Sequence, residues 1–287
     1  MLQKSTLQLL RFPFSYFLMP VYWFALSLVN TIYWPKAILI FCILNILVFP
    51  SGNGYNSYMD RDETSIGGLE KPMQPTRQLF YVTLVMDVLA FILALFISTF
   101  FAIGTLIYIT CSRAYSYRGI RLKRLPVTGY LTVILNQGGL IFCMVYLGAG
   151  TNGTMPFPWI PAIAATLLIG GFYPITQVYQ HEADAKDNVT TLSMLLGKRG
   201  TFLFCGLLYT IAFSLLMYYY QQQGHSLYFG ILQLFFIPVI LFFLRWWYQV
   251  WKDGNKANFT NVMRMNWIAA TCSNLAFITL LILHLLG

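Results

Sequence analysis

Two short polar stripes carry chemistry-bearing residue types in a chain otherwise suited to lipid. Asn53, Asn56, Asp60 and Glu63 form the first, and Gln177, Gln180, Asp184 and Asp187 form the second. Both have the spacing i, i+3, i+7, i+10, which on a helix gathers four side chains on one face. Each stripe lies at the end of a strongly apolar segment. A carboxylate at the edge of a membrane domain is costly to desolvate, so its presence there marks function. One offset superposes the segments, Asn56 on Gln180 and Asp60 on Asp184, which is a weak internal repeat. Two facing acidic helix ends suit Mg²⁺, a hard cation that takes oxygen ligands and bridges a few carboxylates to phosphate oxygens. Such ions neutralise a diphosphate as it leaves. The candidate metal ligands are Asn56, Asp60, Asp62, Glu63, Gln180, Glu182, Asp184 and Asp187.

A third segment, Ser112 to Pro126, alternates basic side chains with tyrosines. Arginine forks match phosphate oxygens, although the same composition also serves ordinary anchoring at a membrane face. Tyr55, Tyr58, Tyr115, Tyr173 and Tyr179 lie near these segments, where ring faces could stabilise a cation. The group Asn136-Gln137-Gly138-Gly139 interrupts an apolar run. Its amides either line a cavity or bond to a neighbouring helix.

The elements that must position these residues are membrane helices. Of 287 residues, 58% are hydrophobic and only 9% charged, against about 25% charged in ordinary soluble domains. Apolar runs of spanning length predict nine helices, at about 13–30, 37–55, 79–97, 100–116, 127–148, 159–178, 202–220, 227–248 and 266–286. The stretch from Leu79 to Ser112 is too long for one span, and Ser98, Thr99 and Gly104 offer its turn. With this count, 17 of the 18 basic residues fall on one face, leaving only Lys36 on the other. The positive-inside rule makes that face cytoplasmic, with the N-terminus and the polar loops on it. Eight of the nine acids share it, and Asp87 alone sits within a span.

The net charge of +9 is therefore accounted for by topology and attraction to anionic headgroups, and nucleic acid is not an expected partner. The five cysteines are scattered without metal-ligand spacing. No glycine-rich nucleotide loop and no Ser/His/Asp or Cys/His constellation emerges.

The three polar segments together resemble the UbiA superfamily of intramembrane prenyltransferases. That family's first motif, Asn-Asp-x-x-Asp-x-x-x-Asp followed by a basic residue and proline, is matched by Asn56, Asp60 and Lys71-Pro72, while Ser57 and Thr64 stand at its other two acidic positions and Asp62 and Glu63 lie close by. Tyr117, Lys123-Arg124 and Pro126 follow the order of the family's basic loop. Asp184, Thr191-Leu192 and Gly197 match the second motif, with Glu182 at a frequent acid and Gln180 and Gln177 where the family carries acids. The resemblance covers essentially the whole chain and implies one membrane-embedded domain over 1–287, nine helices around a central cavity.

It further implies a prenyl diphosphate donor, Mg²⁺ as cofactor, and a small lipophilic, often aromatic, acceptor. Asn56, Asp60 and Asp184 would be the catalytic centre. Lys71, Tyr115, Tyr117, Arg118, Lys123, Arg124, Gln180, His181 and Lys198 would contact substrate. Two alternatives stand beside this expectation. One is a membrane terpene cyclase of the same superfamily, in which the chain's own alkene attacks the cation. The other is a non-catalytic protein that binds or transports a polyprenyl or anionic lipid.

Overall fold

The computed structural model describes residues 1–151 and 156–286. The described residues form an all-helical bundle. A short helix α1 (Lys4–Leu9) and a 3₁₀ segment (Phe12–Phe17) lead into α2 (Met19–Leu26). The longer helices follow as α3 (Trp34–Asp60), α4 (Arg77–Leu95), α5 (Thr99–Ser116), α6 (Pro126–Ala149) and α7 (Trp159–Gln177). A short α8 (His181–Lys186) precedes α9 (Leu192–Gln222), α10 (Ser226–Lys252) and α11 (Phe259–Leu286).

Local chemistry sets several of these boundaries. Ser98 caps α5 by accepting the Phe101 N–H, and Thr191 caps α9 by accepting that of Met194. Proline stands in the first turn of α3 and of α6, where its missing N–H costs nothing. Inside α9, Gly197 adopts φ +66°, so the chain turns there before the long span begins.

Among the described residues, seven helices are long and apolar enough to cross a membrane, or eight if Lys4–Phe17 and Met19–Leu26 count as one span bent by 40°. The chain is an integral, multi-pass membrane protein. Two of the nine expected spans differ. The first is not one straight helix: a 3₁₀ segment at Phe12–Phe17 meets α2 across a 40° bend, and Arg11 just ahead of it takes a left-handed conformation with φ 48°. The fourth forms as α5, but its second half carries Ser112 and Tyr115, which line a polar cavity, and Arg113, which pairs with an acid. Ser98 and Thr99 make the turn before it, whereas Gly104 lies within the helix and packs against Met144.

The helices close into a ring. α3, α4 and α5 pack in sequence, α5 meets α6, and α6 meets α7; α7 packs on α9, α9 on α10 and α10 on α11, which returns to α2. Apolar side chains such as Val85, Leu203, Leu234 and Leu241 point outward, as a hydrocarbon solvent requires. Inside, Phe24 stacks on Phe277 at 4.5 Å, tying the two ends of the chain together. Trp246, which its sequence position suggests is an interfacial anchor, is 1% exposed, packs edge-on against Phe202, and donates to the Lys256 carbonyl.

Two π-helical turns, Ile43–Val48 in α3 and Leu135–Leu140 in α6, widen their helices inside the ring. Such turns re-aim side chains at functional sites. The second also carries Gly138, where a Cβ would lie 2.6 Å from the Thr166 Cα of α7. Close backbone approach of this kind is how membrane helices gain packing without a hydrophobic drive. Gly138→Ala should therefore cost about 1–3 kcal/mol, the usual range for overpacking, read as a lower melting temperature in detergent. An unchanged melting temperature would mean that the two backbones are not held this closely.

Asp87 has a partner. It pairs with Arg113 of α5, whose guanidinium also donates to Thr83 and Ser51 and lies 3.9 Å from the Tyr55 ring centroid. The pair ties α4 and α5 to α3 one to two turns from Asn56. Asp87→Ala would leave Arg113 uncompensated, a loss of about 3–5 kcal/mol. Melting curves should show the double change Asp87→Ala/Arg113→Met to be more stable than Asp87→Ala alone; equal stability would mean the charge is not what matters.

Candidate active site

A polar cavity of about 220 Å³ opens within the ring, and both stripes reach it. From α3 come Asn53, Asn56 and Asp60. The helix then stops, because Arg61 takes φ 54°, and the chain doubles back so that Asp62 also lines the cavity. The second stripe does not form one helical face. It is divided between a 3₁₀ turn ending at Gln177, Gln180 at the N-cap of α8, Asp184 inside α8, and Asp187 beyond its end. Gln177, Gln180 and Asp184 line the cavity, so the two superposed pairs, Asn56/Asp60 and Gln180/Asp184, do face one space.

Asp60 is the best-held acid. Asn56 donates to its Oδ2 at 2.9 Å and to Ser116 Oγ at 3.0 Å. Lys123 Nζ lies 2.6 Å from Asp60 Oδ1, an ion-pair contact not aligned as a hydrogen bond, and Arg121 stands at 3.7 Å from the same oxygen. Arg121 is buried and pairs chiefly with Asp187. It therefore ties the loop before α6 to the end of α8. Arg118 donates to the backbone carbonyls of Met59 and Asp60, closing the end of α3.

Asp62 and Asp184 are strained electrostatically. Burial raises the Asp62 carboxyl to about 6, with Asp60 adding to the shift and Lys123 and Arg11 opposing it. Burial likewise raises Asp184 to about 7; Lys123 opposes, while Asp62 and Asp60 push it further. Acids that raise one another in a desolvated space are a site short of positive charge. Hard oxygen donors with excess negative charge fit Mg²⁺, which keeps several waters and needs few protein ligands. Among the described residues no three His, Cys, Asp or Glu side chains form a ready-made metal cage.

The remaining sequence-predicted residues separate clearly. Lys123 and Tyr115 line the cavity. Glu63, Lys71, Tyr117, Arg124 and Glu182 are exposed and outside its lining. Asp187 is taken up by Arg121, and Arg118 by the carbonyls of α3. Lys198 donates to the Gly254 carbonyl. His181 hydrogen-bonds Ser193, which in turn meets Thr201, so it pins α8 to α9 away from the cavity; burial lowers its pKa, and Lys198 lowers it further. Tyr115, Tyr173 and Tyr179 are cavity walls, whereas Tyr55 lies under Arg113 and Tyr58 against Phe80. Asn136 and Gln137 both line the cavity; Asn136 donates back to the Thr132 carbonyl of its own helix, while Gln137 also bonds to Tyr108 of α5.

Sequence reasoning missed Arg11, Arg121 and Asn266. Arg11 is buried beside Asp60 and Asp62, and its guanidinium donates to the Gly67 and Asn53 carbonyls, folding the loop after α3 over the cavity. Its signal was a lone arginine at the head of the first apolar run. Asn266 of α11 is 1% exposed and lines the cavity; it is one of three asparagines in that helix, with Asn261 and Asn274, and nothing in the sequence sets it apart.

The UbiA prenyltransferase family profile matches residues 17–269. No curated protein matches the chain. Among solved structures, a UbiA homolog from Archaeoglobus fulgidus bound to GPP and Mg²⁺ is similar in fold, with TM-score 0.71, 19% identity, and coverage of 97% of this chain and 99% of that one. The same homolog bound to DMAPP and Mg²⁺ gives TM-score 0.71 at 18% identity, over 97% and 99% of the two chains. An apo UbiA homolog from Aeropyrum pernix K1 gives 0.66 at 16% identity, over 92% and 97%. With three polar segments meeting in one membrane cavity and the family profile running through nearly all of the bundle, the chain belongs to the UbiA prenyltransferase family.

Proposed function

We propose that this chain transfers an isoprenyl group from a prenyl diphosphate to a small lipophilic acceptor within the membrane, with Mg²⁺ at the shared cavity. The observation that carries this reading is the convergence of Asn56, Asp60, Asp62, Gln180 and Asp184 on one space, with Lys123 and Arg11 beside them. The Archaeoglobus homolog's structures with GPP or DMAPP and Mg²⁺ support the same reading. Bound Mg²⁺ would neutralise the diphosphate and improve it as a leaving group. Lys123 and Arg11 add fixed positive charge for its other oxygens. The bond between the allylic carbon and the diphosphate oxygen breaks, and the electron pair leaves with the diphosphate. The acceptor forms the new bond to that carbon and gives up one proton. Tyr115, Tyr173 and Tyr179 line the cavity, and their aromatic rings would stabilise an allylic cation there.

The hydrocarbon tail has space nearby. An apolar groove of about 750 Å³ runs among α2, α7, α9, α10 and α11. Neighbouring residues of one wall divide between the two spaces: Phe172, Met265 and Phe17 face the groove, while Tyr173, Asn266 and Leu18 face the polar cavity. The distribution of basic residues supports a diphosphate end on the cytoplasmic side.

The test is direct. Purified protein in lipid nanodiscs is given Mg²⁺, DMAPP or GPP, and a panel of phenolic and naphtholic acceptors. Diphosphate release coupled to a prenylated product is expected, abolished by EDTA. A folded protein that releases no diphosphate from any donor would overturn the reading. Release with a cyclic hydrocarbon and no acceptor would select the cyclase instead.

A further inference from the structure

Three cations border the cavity acids, and they differ in how firmly each is held. Arg11 donates to the Gly67 and Asn53 carbonyls. Arg121 donates to both the carboxylate and the backbone carbonyl of Asp187. Each arginine thus fixes a loop, and moving it would unfold that loop. Lys123 is different. Its Nζ lies 2.6 Å from Asp60 Oδ1 and meets no other acceptor among the described residues. The contact is an ion pair without an aligned hydrogen bond, between side chains only 11% and 5% exposed.

Lys123 also acts beyond Asp60. Burial raises the carboxyls of Asp62 and Asp184, and at each of them Lys123 is the largest charge opposing that shift. One ammonium therefore serves acids from both polar segments, where a divalent ion would also be drawn. A metal ion that took Asp60 would push Lys123 off its only partner and leave it unpaired, beside a like charge, in a desolvated space. Both consequences are unfavourable. A diphosphate removes them, because it brings charged oxygens into the same cavity. An ammonium on a flexible four-carbon stem can turn to those oxygens while its backbone stays in place. Neither arginine can make that exchange.

We propose that Lys123 holds the place of a metal ion: its ammonium neutralises Asp60 in the substrate-free protein and passes to the diphosphate when the metal takes Asp60, so that metal and diphosphate bind cooperatively. This deepens, and rests on, the reading of the cavity as a prenyl-transfer site. The metal ion and Lys123 compete for one carboxylate until an anion arrives that satisfies both.

The experiment uses the full chain in nanodiscs at pH 8. The probes are Mn²⁺, read by EPR in place of Mg²⁺, and geranyl thiolodiphosphate, whose carbon–sulfur bond resists ionisation. In the unmodified protein the analogue should tighten Mn²⁺ at least about 10-fold, and Mn²⁺ should tighten the analogue by the same factor. Lys123→Met should bind Mn²⁺ alone about 10-fold more tightly, because a like charge is gone. The same variant should bind the analogue in EDTA about 3–10-fold more weakly, so the coupling between the two ligands shrinks. A purely structural lysine would not move these two affinities in opposite directions. Lys186→Gln removes an exposed charge from α8 and should change neither affinity by more than about twofold, since solvent screens it. Asp60→Asn frees Lys123 and should tighten the analogue in EDTA about 3–10-fold; it carries the test alone where Lys123→Met does not fold. Unchanged or weaker Mn²⁺ binding in folded Lys123→Met would overturn the proposal, as would an analogue affinity in EDTA that Asp60→Asn does not raise. Failure of the analogue to bind the unmodified protein with Mn²⁺ would instead strike the prenyl-transfer reading, while the titrations with Mn²⁺ alone would still decide whether Lys123 holds the metal's place.

Discussion

Replacing Asp60 with alanine is expected to lower the turnover of prenyl transfer by about 10²–10³-fold or more, the range seen when one preorganised electrostatic group is removed. Asp60 is the acid on which the site is organised. It takes the Asn56 amide at 2.9 Å, holds Lys123 at 2.6 Å, and is approached by Arg121 at 3.7 Å. Its side chain is only 5% exposed, so removing it leaves Lys123 unpaired in a desolvated space, while Arg121 keeps Asp187. That has a specific kinetic signature. The freed Lys123 still attracts a diphosphate, so the donor KM should hold or fall while kcat collapses and the Mg²⁺ requirement weakens. A change in KM alone would mean that Asp60 only helps to bind substrate. Asp60→Asn separates shape from charge: it keeps the volume and an acceptor for Asn56, but loses the pairing with Lys123. If either variant turns over at the unmodified rate in a folded protein, Asp60 is not at the reacting centre.

The parts of this site that were legible in sequence are those where the residue type itself is improbable in lipid. Asp60 and Asp184, each closing an apolar run, were readable because burial of a carboxylate needs a reason, and the superposition of Asn56 on Gln180 indicated that both would face one space. Lys123 and Tyr115 were readable from a basic loop laced with aromatics. What the sequence hid were departures from helical periodicity. The second stripe has perfect helical spacing, yet the backbone passes through a 3₁₀ turn and a two-turn helix, so Asp187 swings to Arg121 and His181 to Ser193. Glu63 shares the face of Asn56 only if α3 continues past Asp60. Arg61, in a left-handed conformation, stops it and brings Asp62 in instead. The π turn in α6 likewise aims Asn136 and Gln137 inward, which no regular wheel would have shown. Arg11 was hidden for a different reason. A basic residue near a span end reads as topology, and only its two carbonyl contacts distinguish it from an anchor.

Raising the pH should move two properties of the protein in opposite directions. Without metal, Asp62 ionises at about 6 and Asp184 at about 7, against 3.8 for an ordinary aspartate, because burial penalises the charge and the neighbouring acids repel it. Between about pH 4 and pH 7 the folded protein therefore keeps protons that the unfolded chain has released. Stability must fall as pH rises through that window, since the folded state is the one binding more protons. In EDTA, the melting temperature should be lower at pH 8 than at pH 5.5, by on the order of 5 °C for a penalty of a few kcal/mol in a chain of this size. Metal binding has the opposite sign. Only the ionised carboxylates hold a hard cation, so protons compete with Mg²⁺. Apparent Mg²⁺ affinity, and activity at limiting Mg²⁺, should climb as pH rises from 5.5 to 8. Mg²⁺ should accordingly raise the melting temperature strongly at pH 8 and weakly at pH 5.5. Asp184→Asn is expected to flatten both profiles, because it removes the group with the larger shift while preserving its shape. A melting temperature in EDTA that rises with pH, or a Mg²⁺ effect equal at the two pH values, would show that these carboxylates are not the crowded, cation-seeking pair on which the site depends.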